Sequence, residues 1–87
     1  MPLLRTGGLL LAATGAAHFV APKMFESISK AGFPDDTETW IKRNGATELA
    51  LGLAMTFGRT RKAALVGTGL YTAWLGARVA YQRQNAA

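Results

Sequence analysis

Residues 6–22 read TGGLLLAATGAAHFVAP, a stretch without a formally charged side chain when His18 is counted as neutral. Residues 49–58 and 63–77 form two further uncharged stretches, and most of the charged residues lie in the intervals between them. A surface helix of a small soluble protein carries one apolar stripe and one polar face. These stretches carry no polar face, so we expect helices that are apolar on all sides and are covered by lipid or by other proteins.

The whole chain is small and basic, with 87 residues, ten lysines and arginines, five acidic residues and a net charge of +5. A chain of this length forms one domain with little interior. It has no cysteine, and His18 is its single histidine, which excludes a disulfide framework and a site with two histidine ligands. We therefore expect no metal centre and no catalytic residue. The positive charges are scattered and accompany no binding motif, so we expect no nucleic-acid partner.

Lipid is the medium that such segments favour, because a membrane-spanning helix needs about 20 mostly apolar residues. We predict an all-α membrane protein with three transmembrane helices at residues 3–21, 36–57 and 62–82, in a single membrane domain that covers residues 1–87. A short amphipathic helix at residues 22–31 follows the first span and is expected to lie in the membrane interface. The expected location is the inner or plasma membrane of the cell, as a multi-pass protein.

The first uncharged stretch also fits a second interpretation. Arg5, the leucines at 9–11 and the small residues Ala16 and Ala17 together resemble a secretory signal peptide. That interpretation explains the N-terminal stretch alone and leaves the two later stretches without a role.

Small residues recur at a spacing of four along the predicted helices, and this spacing allows two helix backbones to approach closely. The positions that we expect to contact other helices are Ala12, Ala16, Gly45, Gly52, Gly69 and Ala73. The pattern does not distinguish helices of this chain from helices of a partner, and three short helices cover one another incompletely. We therefore expect membrane lipids and other integral membrane subunits as partners.

Three ionisable residues fall at one predicted membrane level. In an up-down-up arrangement, His18 near the end of the first span, Glu48 in the second and Arg78 near the end of the third share one side of the membrane. Ionisable groups inside a membrane are costly, which leaves two roles open. The cluster either ties the three helices together or lies near a quinone or a haem held by a partner. Aromatic residues are expected at the same interface, namely Trp40, Trp74 and Tyr81.

The order of two motifs resembles the DoxX-like small membrane proteins. The first motif is HF-x-x-P-x-x-F-x-x-I, over residues 18–28, and the second is G-x-x-E-L-x-L-G-L, over residues 45–53, followed by a basic hairpin at 59–61. The resemblance covers roughly residues 7–75 and places His18 and Glu48 at motif positions. It implies a membrane bundle of four helices, of which this chain would have three. Named members of the wider family are associated with a quinone-linked thiosulfate oxidoreductase or with membrane redox complexes.

These observations favour a small non-catalytic integral membrane subunit that packs against and stabilises a larger membrane complex, with a respiratory-chain complex as one candidate. Such a subunit needs no cofactor of its own. One alternative is a redox subunit of a membrane oxidoreductase, in which His18, Glu48 and Arg78 lie beside a quinone or a haem. The other alternative is a free-standing homo-oligomeric DoxX-like membrane protein.

Overall fold

The computed structural model describes residues 2–85, which form helices joined by short turns. The helices are α1 (Pro2–Val20), α2 (Glu26–Gly32), α3 (Thr37–Thr56) and α4 (Arg61–Asn85). A 3₁₀ turn at Pro22–Phe25 leads from α1 directly into α2. The segment predicted as one interfacial helix therefore consists of this turn and α2.

The prediction of three transmembrane helices is wrong. Among residues 2–85, α1 is the one helix that is long and apolar enough to cross a membrane. In α3 the first turns carry charged residues, namely Glu38, Lys42 and Arg43. In α4 the uncharged residues 63–77 include several glycines and threonines and are fewer than the about 20 apolar residues that a span needs. A stretch without charges is thus not by itself a membrane span.

Helices α1 and α3 pack closely through small residues on both sides of their contact. A Cβ atom at Gly15 would overlap the backbone nitrogen of Leu49, and a Cβ atom at Gly52 would overlap the backbone nitrogen of Ala12. Such close approach of two helix backbones is possible only where side chains are small. Of the residues predicted to pack between helices, Ala12, Gly45 and Gly52 are buried in this contact.

The other predicted packing positions are less buried. Ala16 is half-buried on α1, whereas Gly69 and Ala73 are exposed on α4. A Cβ atom at Gly69 would have no neighbour within 4 Å. Helices α1 and α4 flank α3, with no Cα atom of one within 8 Å of a Cα atom of the other. Within the described part of the chain, the outer face of α4 is therefore uncovered.

The helices form a flat molecule with principal extents of 45 × 26 × 17 Å. This shape leaves room for few buried hydrophobic residues, which are Ala12, Phe33, Ile41, Met55 and Ala64. Large exposed apolar residues are more numerous and include Leu3, Leu10, Val20, Met24, Ile28, Val66 and Leu70. Much of the apolar surface of residues 2–85 is thus left without a covering group from the same chain.

The side chains of Thr60 and Arg61 close the connection between α3 and α4. The Arg61 guanidinium donates to the carbonyl oxygens of Met55 (2.9 Å) and Thr56 (3.1 Å). The Thr60 hydroxyl donates to the carbonyl oxygen of Ala54. These bonds satisfy carbonyl groups that the end of a helix leaves without intrahelical partners.

The connection between α2 and α3 ends at Asp36, whose φ of 56° lies in the left-handed region. Aspartate tolerates this conformation better than most residues with a side chain. The next residue, Thr37, donates its hydroxyl to the carbonyl oxygen of Phe33 (2.6 Å). The turn thereby fixes the start of α3 relative to Phe33, whose ring is one of the most buried groups of the molecule.

Candidate functional site

Three polar side chains from three helices meet in the interior. The hydroxyl of Tyr71 in α4 donates to Oε2 of Glu48 in α3 at 2.7 Å. Nε2 of His18 in α1 lies 3.8 Å from the same carboxylate oxygen. The side chains of His18 and Glu48 are only 6% and 12% exposed, so the carboxylate is largely removed from water. We call His18, Glu48 and Tyr71 the His–Glu–Tyr cluster.

The packing of α1 on α3 positions two members of this cluster. A Cβ atom at Gly45 would overlap the Cβ atom of His18, so glycine at position 45 makes room for the histidine. Glu48 follows Gly45 by three residues and therefore lies on the same face of α3. The glycine contact and the His18–Glu48 pair are thus parts of one interface.

The hydrogen bond of His18 fixes which ring nitrogen carries a proton. Nδ1 lies 2.7 Å from the carbonyl oxygen of Thr14, which can only accept, so Nδ1 is the donor. In the neutral ring, Nε2 then carries a lone pair, and its distance to Glu48 is longer than a hydrogen bond. The Phe25 ring stacks on the imidazole, with ring centroids 3.7 Å apart, and restrains the plane of the ring.

Tyr71 is a donor that is held in its protonated form. Burial raises the pKa of the Tyr71 phenol above its ordinary range. The Glu48 carboxylate raises this pKa further, both as the acceptor of the phenol hydrogen bond and as a neighbouring negative charge. The phenol therefore supports the Glu48 carboxylate at any physiological pH.

The raised pKa of Tyr71 predicts a change in stability at alkaline pH. Because this pKa is higher in the folded chain, the contribution of Tyr71 is complete below the unfolded value of about 10 and is lost as the pH rises above it. We expect Tyr71→Phe to lower the free energy of unfolding by about 1–2 kcal/mol at neutral pH, because Glu48 loses a donor. The same variant should show a shallower loss of stability above about pH 10.

Denaturant unfolding at a series of pH values measures both effects of Tyr71→Phe. Tyr81→Phe is the matched control, because Tyr81 is an exposed tyrosine of the same helix. A Tyr71→Phe variant whose alkaline loss of stability equals that of the unaltered protein would contradict the role given to the phenol.

Arg78 lies apart from His18 and Glu48, although the sequence places the three at one level. Its Nε donates to the carbonyl oxygen of Gly32, the last residue of α2, at 3.2 Å. Its guanidinium carbon lies 4.6 Å from the centre of the Phe33 ring, which is a cation–π contact. Arg78 therefore fastens α4 to the end of α2, and the group that joins His18 and Glu48 from α4 is Tyr71.

Two of the predicted interfacial aromatic residues form a cluster around Phe33. The ring centroid of Phe33 lies 4.6 Å from that of Trp40 and 5.5 Å from that of Trp74. The two tryptophan rings are themselves 5.6 Å apart. Tyr81 is exposed on α4. We call Phe33, Trp40 and Trp74 the aromatic cluster, which joins the end of α2 to α3 and α4.

A cavity of about 260 Å³ lies beside the His–Glu–Tyr cluster. Its wall consists of Thr14, His18, Phe25, Ile28, Ser29, Gly32, Phe33, Asn44, Glu48, Tyr71, Leu75 and Val79. Most of the surface of this wall is apolar, and Tyr71 donates a hydrogen bond to Glu48 within it. A small apolar cavity with a few convergent polar groups is the usual form of a ligand site.

The cluster lacks the ligands of a metal centre. Within residues 2–85, no group of three or more histidine, cysteine, aspartate or glutamate side chains could hold a metal ion. His18 and Glu48 supply two such side chains, and Tyr71 is committed to Glu48 as a donor.

The fold and the site define a small all-helical protein that has a thin core and a buried His–Glu–Tyr cluster beside a cavity. The chain belongs to the family described as Domain of unknown function (DUF8561), which matches residues 8–87. No curated protein and no solved structure matches the chain. The family match does not link the chain to the DoxX-like proteins, so that resemblance stays a prediction.

Proposed function

We propose that the protein is a small non-catalytic, membrane-associated subunit that packs its uncovered apolar helix faces against a larger membrane complex. The observation that carries this proposal is α1, which has the length and composition of a membrane span while only 22% of that span is buried. The core helix of a soluble protein would be mostly covered by its own chain. One face of α1 packs against α3. Lipid would cover the opposite face, which the chain itself leaves exposed.

The tight packing of α1 favours a permanent element over a cleaved signal segment. Gly15 and Ala12 of α1 meet the backbone of α3 so closely that no larger residue fits at Gly15 or at Gly52. A segment that is removed after targeting needs no such complementarity with the mature chain. Removal of α1 would also take away His18 and uncover Glu48.

The outer face of α4 supports a protein partner for this subunit. Val66, Leu70 and Ala73 recur there at helical spacing, and Leu70 is 69% exposed. Uncovered apolar patches of this kind mark interaction sites in other proteins. Gly69 and Ala73 would allow a partner helix to approach the backbone of α4 as closely as α1 approaches α3. The partner expected from this chemistry is an apolar helix of an integral membrane subunit.

Leu70→Glu tests this function. We expect the variant to fold, because residue 70 faces away from α3, and to lose its membrane partner, because a glutamate in an apolar interface is unpaired and costly. Co-purification in mild detergent should fall about tenfold or more, which corresponds to a loss of at least 1.4 kcal/mol. Quantitative mass spectrometry of the purified complex measures the fall.

Thr47→Glu is the matched control for Leu70→Glu, because Thr47 is an exposed residue of α3 outside the apolar face of α4. It should retain the partner. Far-UV circular dichroism establishes that both variants fold. Retention of the partner by a folded Leu70→Glu variant would rule out the α4 face as the contact.

A further inference from the structure

We propose that the cavity beside the His–Glu–Tyr cluster binds a small primary organic ammonium ion with an apolar body. This inference goes beyond the role of a packing subunit. It rests on side chains that face the interior of the molecule, whereas the proposed function rests on its outer surface, so either can fail without the other.

The charges of the cavity wall favour a cation. Glu48 is the one formally charged residue among the residues that line the cavity, and its wall includes no lysine or arginine. The group beside Glu48 that can carry a positive charge is His18, whose Nε2 lies 3.8 Å from Oε2 of Glu48. Arg78 is engaged with the Gly32 carbonyl and the Phe33 ring instead. A carboxylate removed from water is costly unless a cation or several donors accompany it.

The site has two hydrogen-bond acceptors with a lone pair that lacks a donor. An ammonium ion would supply that donor. Nδ1 of His18 is committed to Thr14, so the neutral ring offers a lone pair at Nε2. Glu48 Oε2 accepts from Tyr71, and the carboxylate has further lone pairs to offer. Two acceptors 3.8 Å apart cannot bond to each other, but one nitrogen can lie within hydrogen-bonding distance of both. A hydroxyl ligand has a single donor and no charge, so it would satisfy one acceptor only.

The remaining wall fits a small apolar body. A volume of about 260 Å³ lies below the roughly 300–1,000 Å³ of sites for drug-sized ligands, so the ligand is small. Phe25 and Tyr71 supply aromatic surface to the wall. Leu75 and Val79 of α4 supply apolar surface for the rest of the molecule.

The ammonium ion would donate a hydrogen bond to Nε2 of His18. An amine nitrogen between the ring and the carboxylate would meet the Nε2 lone pair of the Nδ1–H ring, with the Glu48 oxygen 3.8 Å from that nitrogen atom of the ring. His18 is the only histidine of the chain, so its ring nitrogens give isolated signals in a protein labelled with ¹⁵N-histidine. Binding can therefore be observed at the site itself.

A titration of the full-length protein in mild detergent with 2-phenylethylamine tests the proposal, with 2-phenylethanol as an uncharged control of similar shape. We expect saturable binding of the amine, with a saturable shift of the Nε2 signal of His18. The alcohol should bind about tenfold or more weakly, as expected when a hydrogen bond to a charged group is replaced. Equal binding of the two compounds, or no saturable change with the amine, would overturn the proposal.

Variants identify the carboxylate as the group that binds the amine. Glu48→Gln should weaken amine binding about tenfold or more. Glu26→Gln makes the same change at an exposed glutamate, which pairs with Lys30 at 3.6 Å, and should bind the amine as the unaltered protein does. The comparison of the amine with the alcohol on the unaltered protein remains a test if Glu48→Gln does not fold. Unchanged binding in a folded Glu48→Gln variant would overturn the proposal.

Discussion

Gly15→Ala is expected to lower the free energy of unfolding by about 2 kcal/mol or more, even after the gain of about 1 kcal/mol that alanine brings to a helix interior. The added Cβ atom would overlap the backbone nitrogen of Leu49 and lie 2.6 Å from the carbonyl oxygen of Gly45. Backbone atoms of a helix cannot move aside as the end of a flexible side chain can. Helix α1 would have to shift away from α3, which would also separate His18 from Glu48.

Gly69→Ala is the control that isolates the α1–α3 contact. The same change at Gly69 adds a Cβ atom that has no neighbour within 4 Å. We expect it to raise the free energy of unfolding by about 0.5–1 kcal/mol, because alanine forms helices better than glycine. Denaturant unfolding of both variants measures the two effects. If Gly15→Ala is as stable as Gly69→Ala, the backbones of α1 and α3 do not pack closely at Gly15.

Phe33→Ala is expected to cost about 3–5 kcal/mol of stability, the range for removal of a large buried aromatic side chain. Phe33 is 3% exposed, packs against Trp40 and Trp74, and carries the Arg78 guanidinium on its ring. Its removal would leave a void where α2, α3 and α4 meet. The fluorescence of the two tryptophans monitors unfolding at this junction of helices directly, because both tryptophans belong to the aromatic cluster.

Phe57→Ala is the matched control for Phe33→Ala. Phe57 is 63% exposed at the end of α3, and we expect its truncation to change stability by no more than about 0.5 kcal/mol. Equal losses in the two variants would mean that the aromatic cluster does not hold the helices together.

The small residues of the sequence indicate close helix packing but not where it occurs. Gly45 and Gly52 meet α1, whereas Gly69 lies on the uncovered face of α4. The spacing of four is the same in both places. Whether such a glycine is packed or exposed depends on which faces of α3 and α4 meet. Contacts between residues far apart in the sequence determine this, and a local pattern does not show them.

The prediction of three membrane spans was wrong because it counted missing charges rather than apolar surface. Glycine and threonine interrupt the uncharged stretch of α4, and charged residues occupy the first turns of α3. Among residues 2–85, α1 alone combines enough length with enough apolar character. The absence of charge in α4 is better explained by the apolar face that it exposes.

The sequence brings His18 and Glu48 to one level through the antiparallel order of the helices, and the structure places them 3.8 Å apart. The sequence also predicts Arg78 as a member of this group, because a charged residue within an apolar helix is costly unless it is paired. The neutral hydroxyl of Tyr71 was missed, although Tyr71 precedes Arg78 by seven residues and therefore lies on the same face of α4. Arg78 is two turns further along α4, which takes it past Glu48 to the end of α2.

The most direct test of the account is a photo-crosslinking experiment in native membranes. A photoreactive residue is placed at position 70, on the outer face of α4, or at position 47, on an exposed part of α3. We expect the chain to sediment with membranes and position 70, but not position 47, to crosslink to an integral membrane protein. A chain that leaves the membrane fraction, or crosslinks equally from both positions, would contradict a subunit that packs through the uncovered face of α4.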